Sequence, residues 1–195
     1  FVEKKPAEAL EARALLADIR GFLGIHSLEN LRVINRYDVE HISETLFSDC
    51  IYKVFAEPQL DRAFSVLEPP EGAFVFAVEF LPGQFDQRAD SAAQCIQIVS
   101  QGERPLVRTA KVYLLEGSLS PKELSQIKAY LINPVESREA ALSLPESLDL
   151  QVVPPADVVV LTGFTALRDE ALPAFIAEHG LAMDEDDLML CRAYF

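Results

Sequence analysis

VEFLP at residues 78–82 repeats the pattern VEKKP at residues 2–6, and this offset of 76 residues decides how the chain is organised. Residues 1–76 can be laid over residues 77–152 without a gap. The further identities include residues with special backbone or charge requirements: Pro6 with Pro82, Pro58 with Pro134, Pro69 with Pro145, Arg32 with Arg108, and Arg62 with Arg138. Proline fixes the backbone and arginine makes directed ion pairs, so their recurrence indicates a duplicated structural unit rather than shared hydrophobicity.

Each copy has the pattern strand, helix, strand, helix, strand. The predicted elements are a strand at 1–5 or 74–81, an amphipathic helix, a strand at 31–39 or 106–115, a second helix, and an extended segment after Pro58 or Pro134. Serine precedes the second helix in both copies, as expected of an N-cap. The predicted fold class is α/β (α+β): two tandem βαβαβ repeats that form a pseudo-dimeric sheet with helices packed on it, plus a short helical tail.

The predicted domains are a first α/β repeat at 1–76, a second at 77–152, and a helical tail at 153–195. In the tail, Pro154 and Pro155 predict a stiff spacer, and residues 157–161 a short strand or core insert. A helix is expected to end at Gly180, because glycine is the usual C-cap. Asp184 is expected to cap a last helix, with Asp187 three positions later.

Charge and cysteine content exclude several classes of protein. The net charge is −14 and no run of Lys or Arg provides a basic face, which argues against nucleic acid and against an anionic membrane surface. The three cysteines are widely spaced and form no C-x-x-C, as is typical of reduced thiols in a cytoplasmic protein. The apolar stretches are too short to span a bilayer. The chain starts without Met and stops within a helical pattern, so we expect a piece of a longer polypeptide.

No catalytic residue and no metal ligand is predicted. The three histidines lie in different elements, and the acidic cluster at 184–187 lacks the glycine and glutamate that a calcium loop needs. No P-loop, dinucleotide-binding or nucleophile-elbow motif occurs. Cys95 is expected to be a core cysteine on the inner face of a helix.

Acid and arginine recur at matching places in the two copies. Glu3 and Arg32 lie in the first and second strands of copy one, and Glu79 and Arg108 lie in those of copy two. If these strands are neighbours, the sheet carries a repeated structural ion pair.

The two copies differ most at 81–94, which reads LPGQFDQRADSAAQ and opens the first helix of copy two. The buried stripe of this helix consists mainly of alanines. Polar side chains gather around it, and we take them as candidates for an interface or channel: Gln84, Asp86, Gln87, Arg88, Asp90, Ser91 and Gln94. Small residues let another surface approach closely, and a solvated face would favour Lys and Glu instead. A partner surface and a ligand site both remain open.

Four segments resemble the N-terminal region of the long, single-chain phosphoribosylformylglycinamidine synthases: RVINRYDVE at 32–40, LPGQFDQRADSAAQCIQ at 81–97, GERPLVRTAKVYLLEG at 102–117 and YLINPVESRE at 130–139. The closing segment GLAMDEDDLMLCRAYF at 180–195 resembles the start of the linker region that follows, so the helical tail at 153–195 is expected to lead into that linker. The resemblance covers essentially the whole chain. It implies a ligase and glutamine amidotransferase of purine biosynthesis. That enzyme converts formylglycinamide ribonucleotide, ATP and glutamine into formylglycinamidine ribonucleotide, the fourth step of the de novo pathway.

The resemblance implies that this N-terminal domain is a fused dimer of a small subunit. Its expected partners are the glutaminase and synthetase domains of the same polypeptide, and its expected role is to dock them and help shape the ammonia channel. ATP and Mg would belong to the parent enzyme, and the fragment itself is expected to be monomeric, without cofactor and not catalytic. The alternative is a free-standing regulatory module of paired α/β units that binds a small molecule.

Overall fold

The structure is a computed structural model that describes residues 1–149 and 156–195. The chain divides into two compact units, Phe1–Gln151 and Val152–Phe195. The predicted spacer at Pro154 and Pro155 and the predicted boundary after residue 152 lie outside the described residues. Each unit is described by itself below.

The first unit contains both sequence repeats. Its elements are β1 (Val2–Lys4), α1 (Leu10–Gly21), β2 (Leu28–Glu40), α2 (Glu44–Cys50), β3 (Asp61–Ala63), β4 (Phe74–Phe80), α3 (Gln87–Ser100), β5 (Leu106–Gly117), α4 (Pro121–Leu131) and β6 (Ser137–Ala140), with a π-helical segment Ile51–Phe55 directly after α2.

One antiparallel sheet of six strands runs through both repeats, in the order β3-β1-β2-β5-β4-β6. The register repeats with the same offset as the sequence, because Val2 pairs with Asn35 and Val78 pairs with Lys111. Asn35 also pairs with Lys111, its own counterpart, across the central β2–β5 ladder. A pseudo-twofold axis therefore passes through this pair, and the predicted fold class is confirmed.

The helices cover one face of the sheet in two clusters. Ile19 of α1 and Ile127 of α4 pack with Leu31 over one end of the central strands. Ile96 of α3 packs with Phe55 of the π-helical segment over the other end. Side chains alternate along a strand, so the intervening residues face the opposite side. There they form a third buried cluster, made of Ile34, Ala77, Ala110, Val112 and Ala140.

Serine caps begin the second helix of each copy, as predicted. The hydroxyl of Ser43 accepts a hydrogen bond from the Leu46 amide, and Ser120 forms a capping box with Glu123. Hydrogen bonds from the Ser120 side chain, the Ser27 hydroxyl and the Ser120 amide lower the pKa of Glu123 to about 2. Since Ser27 precedes β2 and Glu123 lies in α4, this carboxylate also joins the two copies.

The second unit contains α5 (Leu172–His179) and α6 (Glu185–Tyr194). Gly180 ends α5 in the left-handed conformation and Asp184 caps α6 with Asp187, so both predicted helix boundaries are confirmed. The strand or core insert predicted at 157–161 is wrong. These residues have no regular secondary structure, and Val158, Val159 and Val160 are 92%, 78% and 78% exposed. A strand needs a neighbouring strand to form hydrogen bonds with its backbone N–H and C=O groups. None of the described strands pairs with this segment.

The helices of the described residues are all short, and the longest, α3, has 14 residues. None within 1–149 or 156–195 is long and apolar enough to cross a membrane.

Candidate interface groove

A groove of about 790 Å³ lies on the helix-covered face of the sheet, next to the pseudo-twofold axis. Gln87, Arg88 and Ser91 of α3 form part of its wall. Asn35 and Lys111, the pair on the axis, are among its lining residues. We call this feature the axial groove.

The two first helices are offset by 77 residues, whereas the strands are offset by 76. Helix α1 begins at Leu10 and α3 at Gln87. The inward-facing positions follow the same offset: Ala12, Leu15, Leu16 and Ile19 in α1 correspond to Ala89, Ala92, Ala93 and Ile96 in α3. The connection before α3 is thus one residue longer than its counterpart, and the connection after it is one residue shorter. The second helices follow the same offset of 77, because α2 begins at Glu44 and α4 at Pro121, so a gap-free overlay of the sequences aligns the strands but not the helices.

This shift places Arg88 of copy two where copy one has Glu11. Glu11 forms an ion pair with Lys111 and so closes one half of the axial region. The equivalent half presents the Arg88 guanidinium and the Asn35 carboxamide. Arg88 donates a hydrogen bond to the Tyr37 hydroxyl at 3.2 Å. The buried Asn35 Oδ1 has no hydrogen-bond partner among the described residues.

The two tyrosines that line the groove, Tyr37 and Tyr113, lie in different environments. Burial, with a smaller contribution from the charge of Glu11, raises the pKa of Tyr113 to about 12. Tyr113 stacks on Phe76, with ring centroids 5.2 Å apart, and is part of the core. Tyr37 packs against Phe55 but directs its hydroxyl to Arg88. Tyr37 therefore makes a polar contact with α3, whereas Tyr113 is part of the core.

Asp86 has a structural role. Its carboxylate caps α3 by accepting from the Ala89 amide at 2.9 Å, and it accepts from both the amide and the hydroxyl of Thr109. It thereby fixes the start of α3 to β5. The counterpart of Asp86, Ala9, makes no side-chain cap.

Asp86→Ala should lower the free energy of unfolding by about 2 kcal/mol, because a cap and two further hydrogen bonds are lost together. Urea denaturation of the whole chain measures this. Ser43→Ala is the matched control, since it removes a single cap and should cost about 1 kcal/mol. Equal losses in the two variants would show that the contacts with Thr109 contribute nothing.

The remaining candidate residues near α3 do not all lie at the axial groove. Asp90 forms an ion pair with Arg104 and accepts a hydrogen bond from Gln94 at 2.9 Å, and neither Asp90 nor Gln94 lines the axial groove. Gln84 lines a smaller cleft near Arg108. Three of the seven candidates, Gln87, Arg88 and Ser91, therefore meet at the axial groove.

The repeated ion pair forms in one copy only. Glu3 receives two hydrogen bonds of 2.7 Å from Arg32, as predicted. The predicted partner of Glu79 is wrong: Glu79 pairs with Arg138 at 2.8 Å, and Arg108 donates to the Leu148 carbonyl at 2.6 Å. Strand β6 places Arg138 directly opposite Glu79, and the segment after β6 offers Arg108 a carbonyl instead.

Sequence reasoning missed several residues of the groove. Asn35 and Lys111 are an aligned pair of the overlay, but only the register of the β2–β5 ladder places this pair on the axis. Cys95 was expected in the core, but it is exposed and lines the groove. The inner face of α3 is formed by positions 89, 92, 93 and 96, which turns position 95 outward.

The polar side chains at the edge of the axial groove can make directed hydrogen bonds to a partner or to a ligand. Arg88, Gln87 and Ser91 provide hydrogen-bond donors and acceptors at the edge of a groove, and Lys111 is already paired. No family model matches the chain, and no curated protein matches it either.

Proposed function

We propose that this chain is the non-catalytic docking domain of a phosphoribosylformylglycinamidine synthase of the long, single-chain type. The observation that carries the proposal is the asymmetry of the axial groove, where Glu11 and Lys111 pair in one half, while in the other half Arg88 is exposed and the buried Asn35 Oδ1 has no partner among the described residues. The segment that creates this asymmetry, 81–94, also lies within the strongest part of the sequence resemblance.

The duplicated sheet gives a physical reason for such a role. Two copies that share one sheet form a rigid, nearly symmetric platform, and a platform of this kind needs an asymmetric feature to bind one partner in one orientation. A guanidinium can make two directed hydrogen bonds to a carboxylate or to carbonyl groups. A carboxamide offers both donor and acceptor groups. Together they suit a polar loop of a neighbouring domain.

The resemblance supplies the partners and the chemistry of this proposal. The glutaminase and synthetase domains of the same polypeptide would meet the axial groove, and the groove would help to keep ammonia from escaping between them. ATP and Mg would bind in the synthetase region, and the enzyme would be cytoplasmic. This fragment would contribute assembly and no catalytic group.

Arg88→Ala tests the proposal in the full-length enzyme. Truncation of one partner of a buried charged pair costs about 2–5 kcal/mol, so product formed per glutamine hydrolysed should fall by at least about tenfold. The rate with free ammonium should stay unchanged, because the synthetase chemistry lies elsewhere. The free energy of unfolding of this chain should change by less than about 0.5 kcal/mol, because Arg88 is exposed.

Two further variants make the result specific. Arg62→Ala removes an exposed arginine of β3 that does not line the groove, and should leave the coupling intact. Tyr37→Phe removes only the hydroxyl that orients Arg88 and should give a smaller loss of coupling. An equal fall in the glutamine- and ammonium-dependent rates would contradict the proposal, as would unfolding of the chain by Arg88→Ala.

The buried, unpartnered Asn35 Oδ1 favours one second candidate, a regulatory module that binds a small polar molecule in the axial groove. Isothermal titration of the chain with ATP and with glutamine separates the two functions. The docking domain should show no saturable binding. A micromolar dissociation constant that is weakened by Asn35→Ala would favour the regulatory module.

A further inference from the structure

A small cleft of about 360 Å³ in copy one is lined by residues of β1, α1, β2 and β3. Its charged side chains are four basic and one acidic: Lys4, Arg13, Arg32, Arg62 and Glu3. The whole chain has 17 basic and 31 acidic residues, so this cleft has the opposite charge balance. Lys4 forms an ion pair with Asp61, and the uncompensated positive charge therefore lies on the arginines. We call this feature the basic cleft.

Copy two has a corresponding cleft with a different charge. At the strand offset of 76, Arg32 and Arg62 correspond to Arg108 and Arg138, which both line a cleft of about 410 Å³. The charged side chains of that second cleft are two basic and three acidic: Arg108, Arg138, Glu79, Asp86 and Asp149. The duplicated fold therefore provides a similar space twice, and basic side chains predominate only in copy one.

Arg62 is left without an acidic partner. It lies directly opposite Glu3 in the β1–β3 ladder, as its counterpart Arg138 lies opposite Glu79. Arg138 forms the ion pair in copy two. In copy one, Arg32 binds both oxygens of Glu3, and among residues 1–149 no group makes a hydrogen bond or ion pair with the Arg62 guanidinium. An anion in the basic cleft can therefore bind Arg62 without displacing a partner.

Arg13 is held in place and still has hydrogen-bond donors available. Its guanidinium donates to the carbonyl groups of Pro6 and Ala7 at 2.9 and 3.1 Å. A guanidinium carries five N–H groups, so these two bonds leave others free. A single carboxylate is satisfied by one guanidinium, whereas a phosphate group has enough oxygens for two or more.

Copy two shows that an anionic group suits this place in the fold. The Asp86 carboxylate accepts hydrogen bonds there from the Ala89 amide and from the amide and hydroxyl of Thr109. At the helix and strand offsets, the counterparts of Asp86 and Thr109 are Ala9 and Val33, and both line the basic cleft. Copy one thus lacks the carboxylate that copy two supplies from its own chain.

We propose that the basic cleft binds the phosphate group of a small molecule. Arg62 and Arg13 donate to the phosphate oxygens, and Arg32 adds positive charge beside them. Small-molecule sites begin at about 300 Å³, so a cleft of about 360 Å³ suits a phosphate ion or a small phosphomonoester better than a nucleotide. The site is separate from the axial groove and does not depend on its function. Loss of Arg62 should therefore remove phosphate binding and leave the coupling intact.

Titration of the whole chain with inorganic phosphate at constant ionic strength, followed by NMR, tests the proposal. The amide signals of residues 9–13 and 30–33 should shift saturably, with a dissociation constant of about 1 mM, and chloride should give no saturable shift. Arg62→Ala should weaken binding by at least about tenfold. Arg138→Ala is the matched control, because it removes the counterpart in copy two and should leave the affinity unchanged.

A second titration with glycerol 3-phosphate identifies the source of the phosphate group. Tighter binding than that of inorganic phosphate would identify a phosphomonoester as the ligand, and equal or weaker binding would identify the free ion.

Ala9→Asp gives copy one the carboxylate that Asp86 provides in copy two. The new side chain should cap α1 and occupy the cationic groups, so phosphate binding should fall by at least about tenfold while the Tm rises by roughly 4 °C. A higher Tm would show that the loss of binding does not come from unfolding.

Three results would overturn the proposal. Phosphate might produce no saturable shift beyond that of chloride. Equal weakening by Arg62→Ala and Arg138→Ala would mean that phosphate responds only to the overall charge. Unchanged binding in a stabilised Ala9→Asp chain would mean that the phosphate lies elsewhere.

Discussion

Gly117→Ala should destabilise the first unit by at least about 3 kcal/mol. Gly117 has a φ of +142° and lies opposite Leu28, where β2 carries a bulge. A Cβ at this position would lie 2.1 Å from the Ser27 carbonyl oxygen and 2.9 Å from the Glu29 amide nitrogen. The strained conformation alone costs about 1–3 kcal/mol, and the clash adds to it because both contacts are backbone atoms that cannot turn away.

Urea denaturation followed by circular dichroism measures this loss. Gly102→Ala is the matched control, because its nearest heavy atom would be 3.5 Å away and it requires no positive φ. That variant should change the free energy of unfolding by less than about 0.5 kcal/mol. If the two variants were equally stable, the close approach of the β2 bulge to Gly117 would not exist in solution.

Phe76→Ala should cost about 3–5 kcal/mol, the range for truncating a buried phenylalanine. The Phe76 side chain is 2% exposed and stacks on Tyr113, and the Lys128 ammonium lies 5.2 Å from the centre of its ring. The substitution removes apolar area and leaves a cavity between β4, β5 and α4. Thermal unfolding should show a correspondingly lower Tm.

Phe74→Ala provides the comparison on the same strand and the same face. Phe74 is 37% exposed and does not belong to a buried cluster, so its truncation should cost only about 1 kcal/mol. A loss for Phe76→Ala as small as that for Phe74→Ala would contradict the packing of Phe76 in the buried cluster that contains Ile19 and Ile127.

Local sequence was sufficient for the elements and the duplication. Pro6 and Pro82 mark the strand ends, and Ser43, Ser120 and Asp184 mark helix starts, because a proline or a cap acts on neighbouring backbone groups. The structure adds that the register of the sheet repeats with the same offset of 76, since each strand pair in copy one has its equivalent in copy two. The failure at 157–161 has the opposite cause: an apolar run indicates burial only when another element is available to cover it.

The candidate site was predicted only in part. The sequence singled out Arg88, because the polar segment 81–94 departs from its counterpart. It did not reveal Asn35 or the pairing of Glu11 with Lys111, since these residues meet through the central β2–β5 ladder and the packing of α1 on it.

The sequence by itself determined that this chain is a duplicated α/β unit with a helical tail, because caps, prolines and hydrophobic periodicity act over a few residues. Only the tertiary structure decided which side chains meet. In the structure, Glu79 forms its ion pair with Arg138 and Cys95 is exposed. A one-residue shift of the helix places Arg88 in copy two at the position that Glu11 has in copy one. Such contacts depend on strand order and on the lengths of two connections. Those lengths change the rotation of a helix by about 100° per residue, and no local pattern records that rotation.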